Sequence, residues 1–453
     1  MSHLLRITDN TTTVTLSSGN MYLADYVPAG TRRKDEPLYE TADIGFTGGL
    51  STMRSNIQAI NRLFAQAENY VENRQGPKVY IEFDPNNSGT VYRSQLIFAE
   101  PVQLPDDVLG AGWAATSFEA TLNWYREPFW EGPLTQIPLA NSSSTSTTDY
   151  LTVNNRNDGS GENWVSIAAA DVIGDVPSPI KLEMLNATTD ATATDEIYIW
   201  HNIHSNPENF AYFIEGESSS DASSTTDVTS NSGAYGAFSI SSTDEARIAS
   251  WTLSSSDLDD AAGGRFAITA RWPAIFPYTD TYIRFKLETT VNYNELDAGG
   301  LFLVASTTDA DNDRELSMFD PLRIPPGADN QTSMADVYLS MFALRTAGSG
   351  TINVDYLQLS PISRSSGWKR FVSVDVGIGI DETFYFDEIQ GLIYKQDSGG
   401  NKLFEFTDYG GPILLEPNAV QRLYFNTCDN AGISAITQNW SVRLWYRPRR
   451  HNL

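Results

Sequence analysis

Only one stretch of this chain repeats its apolar residues at helical spacing; elsewhere they come in short runs of period two. From about Ser51 to Asn73, Ile57, Ile60, Phe64, Ala67 and Val71 recur three and four positions apart and build one apolar face. Ser51 or Ser55 is expected to cap its start, with Gln58 three residues after Ser55 as in a capping box, and Gly76-Pro77 to stop it. The other apolar runs are β-branched and aromatic and are separated by Gly, Pro, Asn and Asp: Val79 to Phe83, Tyr92 to Phe98, Ser117 to Tyr125, Ile180 to Leu185, Tyr282 to Leu287 and Ser441 to Tyr446. Segments such as Tyr282-Ile-Arg-Phe-Lys-Leu alternate inward and outward side chains, which suits half-solvated antiparallel sheets. The pattern predicts an all-β chain of several β-sandwiches with one principal amphipathic helix in its first part.

At 453 residues the chain is long enough for two to four domains, each with its own core. Its formal charge of -27 argues against electrostatic capture of nucleic acid or an anionic membrane. Residues 141–362 carry 31 acidic against 10 basic side chains, so most of that charge sits in the middle half. Two polar, low-complexity pieces lie there as well, Asn141 to Asp149 and Ser218 to Ser232, and read as a linker and a long loop. The single cysteine, Cys428, excludes an internal disulfide and any cysteine-rich zinc site, and is expected to be an inert buried thiol. The amino terminus has no basic stretch followed by a long apolar run, so a soluble protein made in a cytoplasm and not exported by a signal of its own is expected.

The order of elements in the first 140 residues, a strand-rich head, the helix, then KVYIEFDPNNSGTVYRSQLIFAEPVQLPDD and SFEATLNWYREPFWEG, resembles the amino-terminal ring domain of siphophage distal tail proteins. YLTVNNRNDGSGENWVSIAAADVIGDVPSPIKLEML is similar to the opening of that family's second, galectin-like sandwich. Phe384 to Asp387, Gly411 to Asn418 and the terminal Trp445-Tyr-Arg-Pro-Arg are similar to its close. The block between them departs from the minimal family pattern. It resembles a carbohydrate-binding jelly roll, by Phe213-Ile-Glu-Gly-Glu217, Gly233-Ala-Tyr-Gly-Ala-Phe238 and Ile352-Asn-Val-Asp355.

The resemblance implies three parts: a ring-forming domain at 1–140, a galectin-like sandwich made of 141–210 and 363–453, and a jelly roll inserted at 211–362. It further implies a structural hub of the virion tail, a homo-oligomeric ring of six that joins the tail tube to other tail-tip proteins, with a host surface glycan as a ligand of the insertion. Two other readings stay open: a glycan-binding adhesin working alone, and a carbohydrate-active enzyme.

No catalytic group stands out. Two of the four histidines, His3 and His451, lie near the termini, and His201 with His204 on a strand or loop does not form the helical His-x-x-His of a zinc site. A pair of carboxylates at the spacing needed for glycoside hydrolysis is expected by chance among 57. Calcium suits the hard oxygen donors of the acidic block. Similar jelly rolls hold a structural ion with an acidic pair on the first strand and an aspartate on the last, here Glu215, Glu217 and Asp355; Asp309-Ala-Asp-Asn-Asp313 is a second candidate. Sugar binding would use exposed rings, and Tyr235, Trp251 and Trp272, with Tyr278 and Tyr282, lie in the right block. Arg32, Arg33 and Lys34, in the Pro- and Gly-bounded segment Val27 to Gly49, read as an assembly arm toward a neighbouring subunit.

Overall fold

In the computed structural model the expected helix runs over Leu50–Asn73. The structure describes residues 3–30, 36–104, 116–142, 144–147, 149–155, 162–187, 193–204, 212–227, 230–240, 244–253, 265–273, 281–289, 293–305, 316–324, 337–345, 349–362, 367–375, 377–429 and 438–453. The helix ends differ from those expected. Gly49 is the N-cap and makes no side-chain cap, so Ser51 and Ser55 lie inside the first two turns; at the other end Arg74, at φ 55°, takes the left-handed position and returns its N–H to the Tyr70 carbonyl. The buried stripe is Met53, Ile57, Ile60, Leu63, Phe64 and Ala67. Burying each large member contributes about 1.5–3 kcal/mol, far more than helix propensity does, so packing on the sheet decides that this segment is helical.

The fold is all-β with this one principal helix, in several antiparallel sheets. Among the described residues no helix is long and apolar enough to cross a membrane. By its contacts the chain divides into two compact units, Met1–Thr135 with Ile173–Ser178 and Tyr446–Leu453, and Gln136–Val172 with Pro179–Trp445.

In the first unit, strands Thr13–Thr15, Leu4–Thr8, Tyr80–Asp84, Tyr92–Ala99, Ser117–Arg126, Leu38–Thr47 and Met21–Asp25 lie in that spatial order. The helix stripe joins the inward residues Leu5, Ile7, Ile44, Phe46, Ile81, Leu122 and Trp124 in one core. The chain end belongs here too. Arg449–Arg450 pairs antiparallel with Trp130–Glu131, so the last residues complete the first unit instead of staying with the second sandwich as the expected boundaries had them.

Two sheets of the second unit mix strands from residues 139–204 with strands from 368–446. In one, Trp164–Ile167, Val420–Cys428, Glu196–His204 and Trp368–Ser373 are successive neighbours; in the other, Leu151–Asn154, Asn439–Tyr446, Ser178–Asn186 and Thr383–Asp387 follow one another. The strands between residues 212 and 362 form three more sheets around a common core. The first of them, Tyr212–Glu215, pairs antiparallel with the last, Tyr356–Ile362, so this block enters and leaves side by side. Alternation set these faces: along Thr281–Thr289 every second residue from Thr281 to Leu287 is buried, and Asn439–Tyr446 alternates throughout.

Candidate functional site

The acidic corner of the 212–362 block forms where its first strand ends against its last. Gly216 follows Glu215 into a short 3₁₀ turn, and a Cβ at Gly216 would lie 1.9 Å from the Val354 carbonyl oxygen; only glycine lets the turn pass there. That close approach brings Glu215 and Glu217 to Asp355 across a loop at Ser230 to Gly233. The Asn231 backbone N–H donates to Asp355 Oδ1 at 2.8 Å, its side-chain amide donates to Glu215 Oε1 at 2.7 Å, and Ser232 Oγ donates to Glu217 Oε1 at 2.7 Å.

The three carboxylates named for calcium are therefore gathered, but a cation is already there. Arg271 Nη1 is ion-paired and hydrogen-bonded to Asp355 Oδ2, with both side chains buried. Burial pushes the Asp355 carboxyl above its ordinary range, and the Arg271 guanidinium only partly opposes this. Glu217 Oε2 is buried without a hydrogen-bond partner among the described residues, yet no group of three or more His, Cys, Asp or Glu side chains among them is arranged to hold a metal ion. The donor set does not fit a resident calcium ion. The second candidate, Asp309 to Asp313, lies outside the described residues.

The aromatic candidates separate by burial. Trp251 and Trp272 are 2% and 1% exposed, and their indole N–H groups donate to the Gly216 carbonyl and to Ser317 Oγ. Both are core residues with no face for a sugar, which corrects the expectation; alternation puts half of every strand inward, and large rings fill that side best. Tyr235 is half-buried on strand Ala234–Ile240 opposite Thr225, and Tyr282 is half-buried, while Tyr278 lies outside the described residues.

His201 is fully buried on strand Glu196–His204, where Nε2 lies 2.9 Å from Gln421 Oε1. Burial penalises the imidazolium and pulls its pKa down to about 4, against the weaker pull of Gln421. A neutral ring locked to an amide is a core group. The His204 side chain lies outside the described residues.

Arg32, Arg33 and Lys34 also lie outside the described residues, but the base of their segment is well anchored. Glu40, 4% exposed, accepts from Tyr26 Oη at 2.8 Å, the Ala29 N–H at 2.6 Å and Arg126 Nη2 at 2.6 Å. On the same unit, Tyr39, Tyr125 and Phe98 form an aromatic row across three neighbouring strands, 50%, 42% and 39% exposed, with ring centroids 5.2 and 6.3 Å apart. Isolated exposed rings are ordinary; these three are contiguous. Charge periodicity gave no sign of the row.

A second anchor, at the chain end, was not visible in the sequence. Glu131 takes Arg449 Nη2 at 2.7 Å and Arg93 Nε at 3.1 Å, while the Arg449 guanidinium lies 4.0 Å from the Phe129 ring centroid. Burial alone would raise the Glu131 carboxyl; Arg449 and then Arg93 outweigh it and hold it below the ordinary range.

No family model matches the chain, and no curated protein matches it. Among solved structures it is similar to a chain of the phage P2 baseplate in its activated conformation with strontium: 8% identical, covering 80% of this chain and 98% of that one, at a TM-score of 0.22. The same baseplate with calcium gives 9% identity, the same coverage and a TM-score of 0.22. A chain of infectious bursal disease virus, Gt strain, is 8% identical over 71% of this chain and 80% of that one, at a TM-score of 0.20.

Proposed function

We propose that this protein is a structural component of a phage tail tip, a hub whose first unit assembles into a homo-oligomeric ring of six that joins the tail tube to other tail-tip proteins. The observation that carries the reading is the nesting of the second unit. Strands from before residue 205 and after residue 366 alternate in the same two sheets, while the block between them opens and closes on one antiparallel strand pair. A guest jelly roll held in a galectin-like host sandwich accounts for this topology, because entry and exit at one edge let a module occupy a surface loop at little cost to its host.

The exposed row of Tyr39, Phe98 and Tyr125 supports self-association. Rings of identical acidic subunits need contacts that are apolar or charge-complementary, and the segment carrying Arg32, Arg33 and Lys34 begins beside the Glu40 anchor of the same unit. The guest module binds a host surface glycan. Nothing in this role requires turnover.

Mass photometry and negative-stain electron microscopy of the purified protein test the proposal. Closed six-fold rings are expected, and Tyr125→Glu should dissociate them. A monomer at micromolar concentration would overturn the hub reading in favour of an adhesin working alone.

A further inference from the structure

Inside the second unit, away from the acidic corner, a pocket of about 250 Å³ opens between a host sheet and the guest strands. Its host wall is Trp200 and Trp368, which face each other across neighbouring strands; its guest wall includes Leu301, Met318, Phe319 and Asp320. Trp200, 1% exposed, closes the floor, and Trp368, half-buried, offers its ring face. Asp320 is exposed at the rim and takes the Gly300 N–H on Oδ2 at 2.8 Å, which leaves Oδ1 to accept from a ligand.

We propose that this pocket binds a single hexopyranose unit. The volume is below the about 300–1,000 Å³ of pockets that take drug-sized molecules, so it suits one ring. A pyranose has an apolar C–H face for the half-buried Trp368 indole and hydroxyl donors for the Asp320 carboxylate. A purely apolar guest would strip water from Asp320 and give no hydrogen bond in return. A quaternary ammonium would suit the rings and the carboxylate charge, but has no hydroxyl to donate to Asp320 Oδ1. The inference deepens the glycan-binding part of the proposed function and moves it from the core tryptophans to the seam between host and guest; it does not depend on the ring.

Saturation-transfer NMR on the full-length protein tests it, with the methyl glycosides of galactose, glucose, rhamnose and N-acetylglucosamine as probes and mass photometry run in parallel. Transfer to the ring protons of at least one probe is expected, with affinity reduced at least tenfold by Trp368→Ala and by Asp320→Asn, and assembly unchanged. Met318→Trp narrows the pocket from the opposite wall without removing an indole and should give the same loss, which decides the matter where Trp368→Ala fails to fold. Absence of transfer from all four probes, transfer that survives Met318→Trp, or binding of tetramethylammonium in their place would overturn the assignment while leaving the hub reading to stand or fall on the rings.

Discussion

Asn163 and Gln358, separated by 195 positions in the chain, share a 2.7 Å hydrogen bond, and each is only 1% exposed. Gln358 Oε1 also accepts from Asn426 Nδ2 at 3.2 Å, and Tyr356 Oη lies 3.4 Å from Asn426 Oδ1. The last guest strand is thus docked on the host by amides, whose geometry is specific in a way that apolar contact is not. Gln358→Leu should strand the amide donor of Asn426, leave that of Asn163 with only its 3.3 Å bond to Asn426 Oδ1, and lower stability by about 2–4 kcal/mol in chemical denaturation. A double-mutant cycle with Asn163→Ala should return a coupling of about 1 kcal/mol; additive losses would show that the seam is held by something else.

The faces of single strands were legible because alternation is local: Tyr282 to Leu287 and Ser441 to Tyr446 can be read without knowing their neighbours, and the helix face likewise. Trp251 and Trp272 show the limit. Period two separates two faces and does not say which one meets the core, so these rings stand as sugar-binding candidates in the sequence although both are buried. The Asn163–Gln358 and Glu131–Arg449 contacts left no local mark at all, since each partner alone is an ordinary polar residue. The acidic corner fell between these cases: its carboxylates were found by resemblance, and Arg271, 84 positions from Asp355, was missed.

Arg271 supplies to Asp355 the positive charge that an ion would have brought. Arg271→Met should therefore destabilise the guest module by about 3–5 kcal/mol, the usual cost of leaving a buried charge without its partner. Excess chelator should leave the wild-type melting transition where it is. A rise in melting temperature with added calcium in the wild type would mean that the guanidinium gives way to an ion.

His201 makes the second unit sensitive to mild acid. With a folded pKa of about 4 against 6.5 for the free side chain, the unfolded chain binds the extra proton between those values, so stability falls as pH drops from 6.5 toward 4, by about 3 kcal/mol in all. Other groups titrate as well, so the difference between proteins is the measurement. His201→Leu cannot charge, and Gln421 Oε1 keeps the Glu416 N–H. Denaturation midpoints of the variant should lose less between pH 6.5 and 4 than those of the wild type; parallel curves would exclude His201 as the cause.

Glu131 ties the chain end into the first unit, and its two guanidinium partners are themselves largely buried. Glu131→Gln should cost about 3 kcal/mol by leaving Arg93 and Arg449 without their counter-charge. Hydrogen exchange should then show the amides of Arg449–Arg450 and Trp130–Glu131 opening together. Unchanged protection of that strand pair would mean that backbone bonding alone holds the terminus.

Removing residues 211–362 and joining the flanks tests the nested topology most directly. Every host ladder described, such as Glu196–His204 with Val420–Cys428 and Ser178–Asn186 with Thr383–Asp387, runs between segments the deletion keeps. The amides of Asn163 and Asn426 would lose Gln358 but gain water, which replaces a protein hydrogen bond at little net cost, so the host should remain folded. We expect the shortened chain to show cooperative thermal unfolding and the same subunit number as the full protein by mass photometry, with methyl glycoside binding abolished because the guest wall of the pocket is gone. Loss of all folded protein would mean that the block is an integral half of the second unit and not a guest.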